Sequence, residues 1–181
     1  AGMMATGAFH EDGLADTFDG LAGGYTPERR LEIMKDSRLG TFGAAALFVA
    51  LGSKAGLLVS MLDHPWWRVV MITAAAGAVS RAVSVWWMPR VEAASPGLGS
   101  EYLDSVTTRG VLVAALVGVV TALAVGPGGV MALVVAFVMG AGPVWWAKRA
   151  IGGITGDILG AIQVVAEIAF LAGVEGAGSW W

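Results

Sequence analysis

The chain has 181 residues, of which 56% are hydrophobic and 14% charged, with a net charge of −3. A soluble domain carries about 25% charged residues, so this composition, with its mean hydropathy of +0.72, excludes that class. The absence of a basic patch excludes a nucleic-acid surface. The absence of cysteine excludes disulfides, thiol chemistry and thiolate-held zinc or iron–sulfur sites.

In chain order, residues Ala1 to Phe9 are uncharged, mostly small or apolar, and too few to span a bilayer. They read as the end of a truncated N-terminal membrane helix. The run from His10 to Gly20 follows, with Asp12, Asp16 and Asp19 at i, i+4 and i+7. On a helix these positions fall within about 60° of arc, on one face. Carboxylates crowded there repel one another unless a divalent cation sits between them. Hard oxygen ligands suit magnesium or manganese, held through one or two carboxylates plus substrate phosphates. A solvated polar face is the plainer reading, but Leu14, Ala15 and Phe18 occupy the other faces and every polar position of the triad is acidic. Gly13 and Gly20 let a phosphate or another helix approach closely. His10 is a minor candidate for catalysis.

Tyr25 to Leu39 reads as a short amphipathic helix, with Thr26 as N-cap and Pro27 at its first position. Leu31 and Met34 are expected to rest on the membrane surface. The stretch Met34 to Gly40 offers Asp36, Ser37 and Arg38, whose guanidinium fork matches phosphate oxygens.

Five membrane spans are predicted, at 42–62, 66–88, 111–125, 130–147 and 158–174. Gly126-Pro127-Gly128-Gly129 reads as a tight turn between the third and fourth, and the third and fifth read as short. All five are expected to be helices, because unpaired backbone groups cannot face lipid. The fold class is therefore all-α, a polytopic membrane bundle forming one domain over 1–181. With alternating spans, segments 20–41, 89–110 and 148–157 share a side that holds Arg29, Arg30, Lys35, Arg38, Arg90, Arg109, Lys148 and Arg149. The opposite turns, 63–65 and 126–129, hold no Lys or Arg. The positive-inside rule makes the rich side cytoplasmic, and the aspartates gather there.

All eight Trp occur in pairs: Trp66-Trp67, Trp86-Trp87, Trp145-Trp146 and Trp180-Trp181. They read as interface anchors, with a stacking platform for a planar ligand as the alternative. Lys54, Arg81 and Glu167 lie within spans, where a charge needs a partner or a polar cavity. Ser80-Arg81 suits phosphate; Lys54 and Glu167 suit each other. Near the end, Gly152-Gly153-Ile154-Thr155-Gly156-Asp157 opens the last helix, where free N–H groups favour anions. Asp157 there is either a cap or a metal ligand. The Gly-Lys-Ser/Thr ending of a Walker loop is absent.

Taken together, three runs resemble the adenosylcobinamide-GDP ribazoletransferase (cobalamin 5′-phosphate synthase) family. They are Gly7 to Gly20, with Phe9, His10, Asp12, Gly13, Asp16 and Asp19; Leu31 to Thr41; and Gly152 to Ala161, followed by Glu167. The resemblance implies a multi-pass enzyme of a bacterial or archaeal cytoplasmic (inner) membrane, with its active site facing the cytoplasm. It would transfer the cobinamide phosphate of adenosylcobinamide-GDP to α-ribazole or α-ribazole 5′-phosphate, with Mg2+, releasing GMP. On that basis Asp12, Asp16, Asp19 and Asp157 hold magnesium, and Asp19 takes the proton of the ribazole hydroxyl, with His10 as the second catalytic candidate. Asp36, Ser37, Arg38, Arg81, Gly153, Thr155 and Gly156 contact substrate. A homo-oligomer is compatible with this reading. Glu11, where the family usually has an apolar residue, puts an extra acid beside the metal.

Three rivals come from other classes. A CDP-alcohol phosphotransferase would need Arg in place of Asp16 and a further Asp-x-x-x-Asp, which is missing. A membrane prenyltransferase would need paired carboxylates at Asp36 and Asp157. An ion-coupled transporter would want acids near mid-membrane and an internal repeat.

Overall fold

The computed structural model describes residues 6–95 and 105–177. The Trp180-Trp181 pair and most of the expected N-terminal stub lie outside the described residues. Among the described residues, seven α-helices follow one another: α1 (Phe9–Gly23), α2 (Pro27–Met34), α3 (Thr41–Ser60), α4 (Trp66–Trp87), α5 (Thr108–Val125), α6 (Pro127–Ile151) and α7 (Gly156–Gly176). Helices α3 and α4 each close in a 3-10 turn, Met61–Asp63 and Met88–Arg90. The five helices α3 to α7 are long and apolar enough to cross a membrane, as the hydropathy predicts.

Their bounds are wider than expected, for local reasons. Helix α6 begins at Pro127, not at 130, because proline is pre-set for the first helical position. Gly128 and Gly129 are helical and buried, and a Cβ on Gly129 would run into the Ala122 carbonyl of α5. The connection therefore shrinks to Gly126, whose φ of 100° only glycine adopts readily. Pro143 sits inside α6, buried against its neighbours, which membrane helices tolerate. Helix α7 is not short: it runs 21 residues. Near its far end Glu175 accepts a hydrogen bond from Ser60 Oγ at 2.9 Å and pairs with His64 Nε2 at 3.3 Å.

Helix α7 is apolar over most of its circumference, with Gln163 and Glu167 as the polar exceptions in its body, and it takes the centre of the bundle. It packs against α6, α1, α4 and α3, and Ile158, Ile162, Ala166 and Phe170 are fully enclosed. Small residues allow close approach where lipid supplies no hydrophobic drive; a Cβ on Gly173 would lie 2.8 Å from Ala132 Cα. Helices α3 and α5 are peripheral, and expose Phe48, Val49, Leu112 and Leu116. Such faces suit a hydrocarbon solvent.

Helix α1 is not among the five. It runs antiparallel to both α3 and α7: Gly13 meets Asp157 and His10 meets Gly160, while Asp19 meets Gly40 and Glu11 reaches Lys54. Helix α2 is capped by Thr26, which accepts from Arg29 N at 3.3 Å. It is shorter than the 25–39 stretch read from the sequence, and its apolar face does not lie on the membrane surface. Met34 is buried and folds over Gly20 of α1, and Leu31 packs against the core. Arg30 fastens this turn from both sides, donating to Gly24 O at 2.9 Å and to Ala150 O at 2.8 Å. The second bond satisfies a carbonyl at the C-terminal end of α6, where a cation is favoured.

Candidate active site

The acids of α1 meet the first turn of α7. A Cβ on Gly13 would lie 2.9 Å from Asp157 O, so glycine is what lets the two backbones touch. That contact carries Asp12 and Asp16, on either side of Gly13 in sequence, to the Asp157 carboxylate. Asp16 is half-buried and Asp12 exposed. Burial, then the neighbouring Asp12, Asp157 and Asp19 carboxylates, push the Asp16 carboxyl up to about 7. Opposed charges would cancel that penalty, but the ion pairs described below leave no cation on this group among the described residues.

The sequence allows Asp157 as either cap or ligand, and in the structure the cap is Thr155. Its Oγ1 accepts from Ile158 N at 3.4 Å and donates to Asp157 Oδ2 at 3.2 Å. Thr155 thereby closes the helix start and orients the aspartate, whose carboxylate keeps acceptor capacity for another group. Gly156 has open space where a Cβ would project. Gly153 does not: it is buried beneath Glu92 to Ala94, which pair with Ile154 through Ala94 N to Ile154 O at 2.9 Å and Ile154 N to Glu92 O at 3.0 Å. Its part is therefore to admit that backbone, rather than to leave a surface for ligand.

Asp19 stands apart from the other two acids of its helix. It is 7% exposed, and both oxygens accept backbone N–H groups at the start of α3: Gly40 N at 2.7 Å and Gly43 N at 2.8 Å. This is an N-cap delivered from another helix, with a carboxylate favoured by the helix dipole. Gly40 and Gly43 carry no side chain because a Cβ at either would collide with that carboxylate.

The loop that follows α2 joins this end through Gly40. In it Asp36 and Arg38 pair at 2.6 Å, and the hydrogen bonds from Arg38 hold the Asp36 carboxyl down at about 2. Arg38 and Ser37 are exposed and Asp36 partly so, and Asp36 and Arg38 pair with each other rather than with the α1–α7 acids. His10 and Arg81 also belong elsewhere. The ring of His10 stands edge-on to Phe9 at 5.7 Å, and its charged surroundings are Arg81, Glu11, Glu167 and Lys54, not the aspartates. Arg81 folds back on its own helix, donating to Gly77 O at 2.9 Å.

Lys54 pairs with Glu167 at 2.9 Å, as the spans suggest, and it also faces Glu11 at 3.5 Å. Glu11 is thus not beside the metal candidates: one residue from Asp12, about 100° round the helix, it turns into the bundle. Sequence reasoning missed this third member, and it missed Arg30. The available signal for Glu11 was its place about 100° round the helix from Asp12, on the side that carries Leu14, Ala15 and Phe18.

Whether magnesium suits this site rests on the donor set. Asp12, Asp16 and Asp157 supply hard oxygens and an uncompensated negative charge. Among the described residues, no three His, Asp or Glu groups converge closely enough to enclose an ion by themselves. Magnesium keeps several waters and takes substrate phosphate oxygens, so a partial protein cage fits it.

The chain matches, over residues 1–175, the family described as cobalamin-5-phosphate synthase. It is 42% identical over 170 residues to the adenosylcobinamide-GDP ribazoletransferase of Bradyrhizobium diazoefficiens, covering 93% of this chain and 65% of that protein. It is 41% identical over 181 residues to the enzyme of that name from Azorhizobium caulinodans, covering 95% and 67%. The Klebsiella pneumoniae protein of the same name is 40% identical over 173 residues, covering 93% and 69%. The chain thus spans about two thirds of the length of the curated relatives it matches. No solved structure matches it. With the acid helix, the Thr155–Asp157 turn and five apolar helices in place, and a match along nearly its whole length, the chain belongs to the cobalamin-5-phosphate synthase family.

Proposed function

We propose that the protein of which this chain forms part transfers the cobinamide phosphate of adenosylcobinamide-GDP to a free ribose hydroxyl of α-ribazole or of α-ribazole 5′-phosphate, and releases GMP. The observation that carries this reading is the meeting of Asp12, Asp16 and Asp157 at the start of α7, in a chain about 40% identical to proteins named for that transfer. The bond that forms joins the ribazole oxygen to the phosphorus bearing cobinamide. The bond that breaks joins that phosphorus to the GMP oxygen, and the hydroxyl proton goes to a carboxylate.

Asp16 and Asp157 are the residues that would hold magnesium. When bound, the ion supplies charge neutralisation on the diphosphate and on the departing GMP. Asp12, the exposed member, is placed to accept the hydroxyl proton. Asp19 braces the start of α3 through two N–H bonds, which moves the base from Asp19 to Asp12 in this scheme. Thr155 fixes Asp157, while Gly156 leaves room for phosphate at the α7 N-terminus. Arg38 can serve a phosphate by exchanging its Asp36 partner for the ligand. Because the Lys/Arg-rich ends of the helices surround this group, the site faces the cytoplasm of a bacterial or archaeal cell by the positive-inside rule.

The test is reconstitution of the full-length protein in vesicles with adenosylcobinamide-GDP and either α-ribazole or α-ribazole 5′-phosphate, with and without magnesium. Magnesium-dependent appearance of GMP together with the joined nucleotide product supports the reading. GMP release without any joined product, or transfer to a lipid alcohol in its place, overturns it.

A further inference from the structure

Away from the acids, helices α4, α5 and α6 enclose an open apolar groove of about 320 Å3. Its walls include Ala82 and Trp86 of α4, Ala115 and Gly118 of α5, and Val134 and Phe137 of α6. The volume falls in the range of about 300–1,000 Å3 typical of small-molecule sites. The groove exists because α5 leans on α4, where a Cβ on Gly118 would lie 2.9 Å from Ala82 Cβ, while α6 is drawn towards α7. Nothing polar in those walls would orient a water-soluble ligand, and an alkyl chain suits them.

The end of the groove towards the Lys/Arg-rich side is formed by Trp86, and that ring carries a cation. The guanidinium carbon of Arg90 lies 3.7 Å from the Trp86 ring centroid, and Arg90 Nη1 donates to Trp86 O at 2.6 Å. A guanidinium has five N–H donors, so donors remain for an anion. No carboxylate pairs with Arg90 among the described residues, in contrast to Lys54, which faces two. Glu92, the acid nearest in sequence, forms no such pair. Arg109, near the start of α5, lies exposed at the same end. An apolar slot that opens beneath an arginine held on an interfacial tryptophan has the chemistry of an anionic amphiphile, with its alkyl part inside and its charge at the mouth.

We propose that this groove binds one anionic phospholipid, an acyl chain lying between α4, α5 and α6 and the headgroup phosphate resting on Arg90. A second copy of the chain would bury the apolar walls equally well, but would leave the Arg90 charge without a partner. A zwitterionic lipid would bring its own cation to the same place. The site is independent of the transfer proposed above, and its test does not involve turnover.

Native mass spectrometry of the full-length protein, titrated with phosphatidylglycerol or with phosphatidylcholine of the same chains, counts what is retained. The expected result is one tightly held phosphatidylglycerol, preferred over phosphatidylcholine about fivefold, as one basic residue near a lipid surface provides. Arg90→Gln should erase the preference while still retaining lipid. Ala115→Phe, which fills the groove from a lipid-exposed helix, should abolish retention of both lipids. Equal retention of the two lipids by the unaltered protein, or an undiminished preference in Arg90→Gln, overturns the proposal. So does disulfide cross-linking of two copies through Ala82→Cys, since a second chain then fills the space.

Discussion

At the residue scale, the three aspartates of α1 stand in three different environments, although they share one helical face: Asp12 is exposed, Asp16 is half-buried among other acids, and Asp19 is buried on the N–H groups of α3. Asp16 is held where its ionised form is disfavoured, between about 4 and 7 on the pH scale. Its pKa is raised in the fold, so the unfolded chain binds fewer protons over that interval and metal-free stability falls as pH rises through it. Thermal unfolding in detergent should therefore show a lower midpoint at pH 8 than at pH 5, with magnesium restoring part of the loss at pH 8. Asp16→Asn should flatten that pH dependence, raise the metal-free midpoint at pH 8 and lower turnover at least about 100-fold. Replacing Asp19 should instead destabilise the fold. Asp19→Ala strips two N–H groups of their acceptor at the start of α3, and should cost about 2 kcal/mol of stability, with denaturant unfolding as the check. The spacing of Asp12, Asp16 and Asp19 made the acidic face legible. Their separate environments were not, because the partner of Asp19 is Gly40, 21 positions away across a turn.

At the scale of helices, α1 is positioned by two devices. One is steric: Gly13 and Gly160 let it lie against α7. Gly13→Leu should force the helices apart and reduce turnover more than stability, measured as kcat against the unfolding midpoint. The other is ionic, with Lys54 of α3 between Glu11 of α1 and Glu167 of α7. Lys54→Met leaves the buried Glu11 and the half-buried Glu167 without their cation, and the expected cost is about 2–3 kcal/mol, below the range for breaking a fully buried pair from one side. Replacing all three with apolar residues should recover most of that loss; a triple variant no more stable than Lys54→Met would contradict the ionic account. The five apolar helices were readable because a bilayer leaves few alternatives for such long uncharged runs. Their ends were less so. Pro127 starts α6 where the glycines beside it suggested a longer turn, and α7 runs on to Gly176, past the 174 at which the hydropathy ended the span.

At the scale of the whole molecule, the charged residues sort by depth. Asp12, Asp16, Asp157 and the Asp36–Arg38 pair gather where α3 and α7 begin, Lys54 and its two acids lie farther along the same helices, and His64 with Glu175 closes the opposite end. Central α7 carries one residue of each layer, Asp157 in its first turn, Glu167 in its body and Glu175 near its end. The measurement that tests the central claim most directly is binding of Mn2+, standing in for magnesium, to the reconstituted full-length protein and its Asp16→Asn and Asp157→Asn variants, followed by electron paramagnetic resonance. Either substitution should weaken binding by about tenfold or more, because α1 and α7 contribute to one ion. An Asp157→Asn protein that binds Mn2+ as tightly as the unaltered one would contradict that claim.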